Sequence, residues 1–92
     1  MSAKFQWDAE KAQDNLKKHN VYFEEAATAF YDPLSVVIPD PDHSRGENRF
    51  LLLGMSSHMH LLVVAHTDRN DEIRIISARP ATRHERKYYE DS

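Results

Sequence analysis

The chain has 92 residues and a mass of 10.7 kDa, enough for one small domain, and we expect residues 1–92 to form it. Its 40% hydrophobic and 29% charged residues are typical of a soluble globular protein and exclude a disordered one. The absence of cysteine excludes disulfides and cysteine nucleophiles, and the apolar runs are too short to span a membrane, so a cytoplasmic protein is expected.

The first half of the chain carries helical patterns. Residues 5–7 form either an apolar lead-in or a short edge strand. A first helix is predicted between Asp8, which stands at an N-cap position, and Asn20, which suits a left-handed C-cap. A second helix is predicted over residues 23–30, where apolar side chains recur at i, i+3, i+4 and i+7, and Pro33 follows its end.

The second half has the pattern of an antiparallel sheet. Apolar and β-branched runs predict four strands, at residues 36–38, 49–55, 60–67 and 72–79. A polar loop at residues 39–47 joins the first two strands, and short turns join the others. The spacing Thr82-x-x-Glu85 is a capping box and predicts a C-terminal helix to about residue 90. The predicted fold class is therefore α+β, with two N-terminal helices packed on a four-stranded antiparallel sheet and a C-terminal helix. Residues 5–7 add a short extra strand to this sheet if they form the edge strand rather than the lead-in.

The two central strands are apolar on both faces. In the strand predicted at residues 49–55, Leu51 and Leu53 point to one face while Phe50 and Leu52 point to the other. A sheet with one face in water alternates more cleanly. Two helices can cover one face, but the short C-terminal helix can cover only part of the other. We therefore expect exposed apolar surface that a protein partner covers.

The net charge of −3 argues against a nucleic-acid ligand, but the charge is unevenly distributed. Residues 24–72 hold nine acidic residues and three arginines, whereas residues 74–87 hold five cations and a single carboxylate. Arg74 and Arg79 are predicted to face opposite sides of the sheet, because five residues separate them. Arg79 ends a strand close to the start of the next helix, where Arg83 follows, and this arrangement is typical of phosphate binding. The alternative is a solvated helix face paired with acidic loops.

The six histidines raise two further hypotheses. His58 and His60 share one face of an extended chain, a spacing found in some metal sites, but no nearby carboxylate completes a ligand set and no metal site is predicted. His66 shares its predicted face with Leu62 and Val64. It is therefore either a hydrogen-bonded core histidine or an imidazole that lies beside the arginines of the neighbouring strand.

Several segments spread over the chain form an ordered set. They are Trp7-Asp8, Lys11, Asn15, Lys18-His19, Phe23-Glu24-Glu25-Ala26, residues 40–49, His66-Thr67, residues 74–83, Glu85-Arg86 and Tyr89-Glu90. In their order and spacing these segments resemble the BrnT toxin family over essentially the whole chain. Pro80 departs from the family's pattern, because many members carry a lysine or another polar residue there, and this leaves Arg79 and Arg83 unaffected.

The resemblance implies a type II toxin, which is a small ribonuclease with a RelE-like fold that inhibits translation by cleaving RNA. Such an enzyme is expected to need no metal or other cofactor. The implied partner is a BrnA-type antitoxin, encoded beside the toxin, which neutralises it in a heterotetramer of two toxins and two antitoxins. Operator DNA is then bound only through the antitoxin.

Under this hypothesis, arginine and lysine side chains bind the phosphates of RNA. Arginine suits the stabilisation of a dianionic phosphorane but not proton transfer, because its pKa is too high at neutral pH. We assign phosphate binding at the reacting centre to Arg79 and Arg83. The further candidates for RNA or phosphate binding are Arg74, Arg86, Lys18 and His19. The last two equally suit compensation of the first helix's dipole.

Metal-free RNA cleavage also requires a base for the 2′-hydroxyl and an acid for the departing 5′-oxygen. The candidates are His66, Glu85 and Tyr89. His66 is preferred, because the ordinary pKa of histidine lies near neutral pH. Glu85 already has a structural role in the predicted capping box, and Tyr89 equally suits packing or base stacking.

Two other functions remain open. A non-catalytic RNA- or protein-binding module, docking through its basic C-terminal helix, would hold RNA without producing new ends. A histidine-dependent metal hydrolase would lose its activity to a chelator. No helix-turn-helix pattern predicts direct DNA recognition by this chain.

Overall fold

The computed structural model describes residues 3–42 and 48–92. Its helices and strands are β1 (Lys4–Gln6), α1 (Ala9–His19), α2 (Phe23–Thr28), β2 (Val36–Pro39), β3 (Arg49–Met55), β4 (Leu61–Arg69), β5 (Glu72–Pro80) and α3 (Arg83–Asp91). The order predicted from the sequence is confirmed, while residues 43–47 of the predicted loop lie outside the described residues. None of the helices in these two segments is long and apolar enough to cross a membrane.

Helix α1 begins and ends where the local pattern predicts. The Asp8 carboxylate accepts hydrogen bonds from the backbone N–H groups of Glu10 and Lys11, at 2.8 and 3.2 Å. Asn20 adopts the left-handed conformation, with φ of 58°, and its N–H closes the last turn on Leu16. Helix α2 ends at Thr28, earlier than predicted, because a 3-10 turn over Ala29–Tyr31 replaces its last turn.

The sheet has five strands, in the order β1-β5-β4-β3-β2. The prediction of a four-stranded, wholly antiparallel sheet is wrong in this respect, because β1 pairs with β5 and runs parallel to it, with Phe5 opposite Ile73. Phe5 is held by edge-to-face contacts with Phe30 and Tyr31, at ring separations of 5.2 and 6.3 Å. The alternative of a short N-terminal strand is thus confirmed, at Lys4–Gln6, but so short a pattern does not show which strand it pairs with, and the partner lies near the other end of the chain.

Strand β5 carries one extra residue, Ile76, because its register with β4 shifts between Ala65 and His66. An extra residue in one strand reverses the alternation of the side chains beyond it. Arg74 and Arg79 therefore lie on the same face of the sheet. The prediction that they face opposite sides is wrong for this reason.

The buried side chain of Asn15 links α1 to β5 by hydrogen bonds just beyond this bulge. Its amide group donates to the carbonyl oxygens of Ala78 and Val21, at 2.9 and 3.0 Å, and its Oδ1 accepts from the N–H of Ala78 at 3.0 Å. Strand β1 pairs with β5 only as far as Arg74. Asn15 therefore supplies the hydrogen bonds that a longer β1 would give to Ala78.

Apolar side chains pack on both faces of the sheet. The core under α1 and α2 comprises Val21, Phe23, Ala26, Leu62, Val64, Ile75 and Ala78. The core on the opposite face, called the α3 face below, comprises Leu53, Leu61 and Val63, with Ala81 and Tyr89 packed against them. Helix α3 leaves part of this face uncovered, and Ile38 there is 44% exposed. This agrees with the apolar surface expected from the sequence.

Gly54 is the point where β3 passes close to the 3-10 turn. A Cβ atom at this position would lie 2.8 Å from the carbonyl oxygen of Ala29. We expect Gly54→Ala to lower the free energy of unfolding by about 1–3 kcal/mol, because the backbone must shift to admit the methyl group. Urea denaturation measures the loss, with Ser57→Ala in the exposed turn that follows as the control. Equal stability of Gly54→Ala and the wild type would contradict the close approach.

Candidate active site

Strand β5 leads into α3 through a capping box. The Thr82 hydroxyl accepts from the backbone N–H of Glu85 at 3.2 Å, and the Glu85 carboxylate accepts from the backbone N–H of Thr82 at 2.8 Å. The predicted capping box is thus confirmed. It fixes the Glu85 side chain at the first turn of the helix, next to the end of β5.

Arg79 and Glu85 form a bidentate ion pair at this junction. The two terminal guanidinium nitrogens donate to the two carboxylate oxygens, each at 2.8 Å. These hydrogen bonds lower the pKa of Glu85 to about 2 and raise the pKa of Arg79. Both side chains are therefore charged at neutral pH, and exposures of 38% for Arg79 and 29% for Glu85 leave them within reach of a ligand.

A groove of about 320 Å³ lies beside this pair on the α3 face. Its apolar floor includes Leu51 and Val63, and its wall on α3 consists of His84, Glu85 and Tyr88. His84 was not among the site residues predicted from the sequence. The i, i+4 spacing of His84 and Tyr88 is the signal that places both on one side of the helix.

Two of the predicted arginines differ in their relation to the pair. Arg83 is exposed, and at 3.6 residues per turn it lies about 160° around α3 from Glu85. The sequence predicted that Arg83 lies beside Arg79, but the structure does not bring these two side chains together. Arg74, in contrast, lies on the α3 face together with Arg79, because of the bulge in β5.

The remaining predicted cations border other grooves. Arg86 and His19 line a groove between the end of α1 and the start of α3. Lys18 and His19 line a shallow groove beside Ser77 of β5. These three side chains are therefore near one another but outside the groove that contains Glu85.

His66 lies in the core on the other side of the sheet. Its side chain is 4% exposed, and its ring packs against Phe30 and Phe50 at centroid distances of 4.8 and 5.9 Å. Its Nδ1 lies 3.2 Å from the carbonyl oxygen of Val64, and burial lowers its pKa. The structure does not bring His66 to Arg79, which lies on the opposite face. Of the two interpretations of His66, this geometry supports the core histidine.

Tyr89 links α3 to the segment that follows α2 by a hydrogen bond. Its hydroxyl donates to the Asp32 carboxylate at 2.5 Å, and that carboxylate also accepts from the backbone N–H groups of Leu34 and Met55. The bond to Asp32 raises the pKa of Tyr89 to about 12. Burial alone would raise the pKa of Asp32, but the hydrogen bonds it accepts outweigh burial and lower it. This geometry gives Tyr89 a structural role.

The turn between β3 and β4 carries the two histidines considered for metal binding. His60 Nδ1 lies 2.6 Å from a carboxylate oxygen of Glu25, and the Ser56 hydroxyl donates to the same oxygen at 2.6 Å. The ring of His58 stacks on that of His60 at 6.3 Å. Within residues 3–42 and 48–92, no group of three or more histidine or acidic side chains is arranged to hold a metal ion.

The Arg79–Glu85 junction falls within a segment shared with a known family. The sequence model of the ribonuclease toxin BrnT of type II toxin–antitoxin systems matches residues 7–85. The chain belongs to the BrnT family. The matched segment contains Arg74, Arg79 and Glu85, and it ends before Tyr88 and Tyr89. The BrnT resemblance inferred from the sequence is thereby confirmed.

The fold agrees with membership of the BrnT family. A 1.1 Å crystal structure of the ribonuclease toxin BrnT from Brucella abortus is similar to this chain, with a TM-score of 0.70 and 25% sequence identity. The similarity covers 89% of this chain and 100% of the Brucella chain. A comparison with curated proteins gives no match. This BrnT-family chain is thus a ribonuclease toxin of a type II toxin–antitoxin system.

Proposed function

We propose that this chain is a metal-independent endoribonuclease of the RelE-like type, which cleaves RNA in the cytoplasm and so inhibits translation. The main support is the bidentate Arg79–Glu85 pair beside the groove on the α3 face. The guanidinium already binds two oxygens of one planar anion. A phosphodiester offers two oxygens in a similar arrangement, so Arg79 can exchange the carboxylate for a phosphate.

Arg79 binds the scissile phosphate and stabilises the negative charge that develops on the phosphorane. When the guanidinium turns to the phosphate, Glu85 loses the hydrogen bonds that lower its pKa, and the pKa rises toward its ordinary value. The freed carboxylate then accepts the proton of the 2′-hydroxyl. The 2′-oxygen attacks phosphorus, the bond to the 5′-oxygen breaks, and a 2′,3′-cyclic phosphate remains on the upstream fragment.

The departing 5′-oxygen needs a proton, and we assign its delivery to His84. His84 and Glu85 border the same groove, and an imidazole is a suitable acid near neutral pH. His66 is assigned to the core and Tyr89 to the attachment of α3, in place of the proton-transfer roles predicted from the sequence. The exposed cations outside the groove attract the RNA backbone by their charge, and they are Lys18, Arg83 and Arg86. The half-buried His19 lies beside Lys18 and adds a further contact to the backbone.

A type II toxin requires an antitoxin, and we propose a BrnA-type protein in a complex of two toxins and two antitoxins. Exposed apolar side chains at the β2 edge of the sheet support a protein partner there. Val37 is 51% exposed and Leu34, just before the strand, is 68% exposed. Operator DNA is then contacted only by the antitoxin. The mass of the co-purified complex tests this stoichiometry.

The alternative function is a non-catalytic module that binds RNA or protein. It is supported by the basic residues on the exposed surface of α3, which are Arg83, Arg86 and Lys87. Such a module would hold RNA in a complex and protect it from other nucleases. It would not require the Arg79–Glu85 pair to open.

Incubation of the purified protein with single-stranded RNA, with and without EDTA, distinguishes these functions. We expect new fragments with 2′,3′-cyclic phosphate ends, produced at equal rates with and without EDTA. RNA that is retained but uncut would support the binding module. Cleavage that EDTA abolishes would contradict metal independence and support the histidine-dependent hydrolase.

A further inference from the structure

A row of polar side chains crosses the α3 face of the sheet from β3 to β1. Arg49 on β3 lies opposite Thr67 on β4, Thr67 lies opposite Arg74 on β5, and Arg74 lies opposite Gln6 on β1. Thr67 is on the α3 face because it lies four residues along β4 from Val63, which packs under α3, and side chains an even number of residues apart share a face. Side chains directly opposite on neighbouring strands are about 4.5–5.5 Å apart at Cβ, so this cross-strand row places two arginines on either side of one hydroxyl.

The Thr67 hydroxyl in the middle of the row has no partner. Thr67 is 2% exposed, and its Oγ1 makes no hydrogen bond in the part of the chain that the structure describes. A buried hydroxyl without a partner is costly and rare in native proteins. Its position between two arginines provides an explanation, because a bound anion would accept its hydrogen bond.

The two arginines of the row retain most of their hydrogen-bonding capacity. Arg49 is half-buried, and its side chain makes no hydrogen bond or ion pair within residues 3–42 and 48–92. Arg74 donates one bond of 3.2 Å, to the side-chain oxygen of Gln6. The carboxylate beside the row, Glu72, accepts a 2.6 Å bond from the Gln6 amide. Among the described residues, the row therefore has no anion that matches its two guanidinium groups.

We propose that the cross-strand row of Arg49, Thr67 and Arg74 binds a backbone phosphate of the RNA, as a second subsite apart from the scissile phosphate at Arg79. This proposal rests on the ribonuclease function proposed above. Val63 is opposite Arg79 and Thr67 is opposite Arg74, so the two subsites are four residues apart along β4, or about 13 Å. At 3.4 Å per nucleotide in a stacked strand, this separation spans at most about four nucleotides.

The subsite is tested by the binding of a 2′-O-methyl RNA of roughly ten nucleotides, which lacks the 2′-hydroxyl that cleavage needs and spans both phosphates. Fluorescence anisotropy is measured for Thr67→Val and Arg49→Ala, with Thr67→Ser and Lys17→Ala as controls. Lys17 is an exposed cation at the end of α1. We expect a loss of affinity of about tenfold for Arg49→Ala, with the slope of log affinity against log salt reduced by about 0.7. Both controls are expected to bind like the wild type.

Thr67→Val separates a binding role from a structural one. Valine removes the unpaired hydroxyl at nearly constant volume, so the melting temperature is expected to rise by about 4–8 °C while RNA affinity falls.

The outcomes distinguish a failure of the proposed subsite from a failure of the proposed ribonuclease function. If wild-type protein cleaves RNA but Thr67→Val and Arg49→Ala bind the ten-nucleotide probe as Lys17→Ala does, the subsite is wrong and the ribonuclease function stands. If wild-type protein cleaves no RNA but both row variants lose affinity for the probe, the phosphate subsite is supported and the ribonuclease function is wrong.

Discussion

Arg79→Ala is expected to reduce the rate of RNA cleavage by about 10²–10³-fold, the loss found when a donor to a charged transition state is removed. Within residues 3–42 and 48–92, the Arg79 side chain is held in a two-point ion pair with Glu85. Its removal leaves the phosphorane without the two parallel hydrogen bonds that the guanidinium group donates. The pair is partly exposed, so the accompanying loss of folding stability is expected to stay below about 1 kcal/mol.

Single-turnover cleavage of a labelled RNA, with the folded fraction checked by circular dichroism, measures the effect of Arg79→Ala. Arg79→Lys keeps the charge but cannot bind two oxygens at once, so an intermediate rate is expected. Lys17→Ala removes a cation outside the site and is expected to cleave like the wild type. Full activity of Arg79→Ala would contradict its role at the scissile phosphate.

Glu85→Gln tests the second half of the same pair. Glutamine can still accept the bond from Thr82 N–H, so α3 keeps its cap, but it cannot accept the 2′-hydroxyl proton. The cleavage rate is expected to fall at every pH. The folded-state pKa of Glu85, about 2, lies below its ordinary value of 4.5, so this group stabilises the wild type above pH 4.5 and loses that contribution as the pH falls toward 2. Glu85→Gln is expected to lack this part of the acid sensitivity.

Local signals were sufficient to predict the parts of the fold that depend on neighbouring residues. The Asp8 cap, the left-handed Asn20 and the Thr82–Glu85 box each involve residues a few positions apart, and each is present as predicted. The order of helices and strands follows from such signals. The absence of a regular apolar–polar alternation along the central strands also predicted that both faces of the sheet are apolar.

The errors concern features that depend on distant residues. The pairing of β1 with β5 joins the two ends of the chain, and nothing in residues 5–7 specifies it. The extra residue Ile76 is apolar like Ile75 beside it, so the pattern of β5 gives no sign of the bulge that brings Arg74 to the face of Arg79. Asn15 forms hydrogen bonds to this region, but its role appears only when α1 packs on β5.

The candidate site also contains one part that could be predicted from the sequence and one part that could not. Arg79 and Glu85 are six residues apart, and the strand end and capping box between them were both predicted, so their junction follows from the sequence. The cross-strand row needs the register of four strands. Thr67 was noted only as part of a family segment, because a threonine in a strand is ordinary until its hydroxyl is found buried without a partner.

His66→Ala is expected to lower the free energy of unfolding by about 2–4 kcal/mol while the folded protein still cleaves RNA. The loss follows from the cavity that it leaves between Phe30 and Phe50, since truncation of buried rings costs this much. A urea titration gives the stability, and single-turnover cleavage below the denaturation midpoint gives the activity of the folded fraction. A variant that stays folded but loses cleavage would restore the proton-transfer role inferred from the sequence.

The pH dependence of stability provides a second, independent test of His66. Burial lowers its pKa in the folded state below the ordinary value of 6.5, so below pH 6.5 the unfolded chain binds more protons than the folded one. Stability is therefore expected to fall as the pH is lowered from 7.5 to 5.5, and His66 contributes to that fall. His66→Phe retains a ring in the core and has no proton to bind, so the difference between its pH profile and that of the wild type isolates this contribution from the other histidines. A histidine beside the arginines on the α3 face would be exposed to solvent. Its replacement would leave the pH profile of stability almost unchanged, so the two interpretations of His66 predict different measurements.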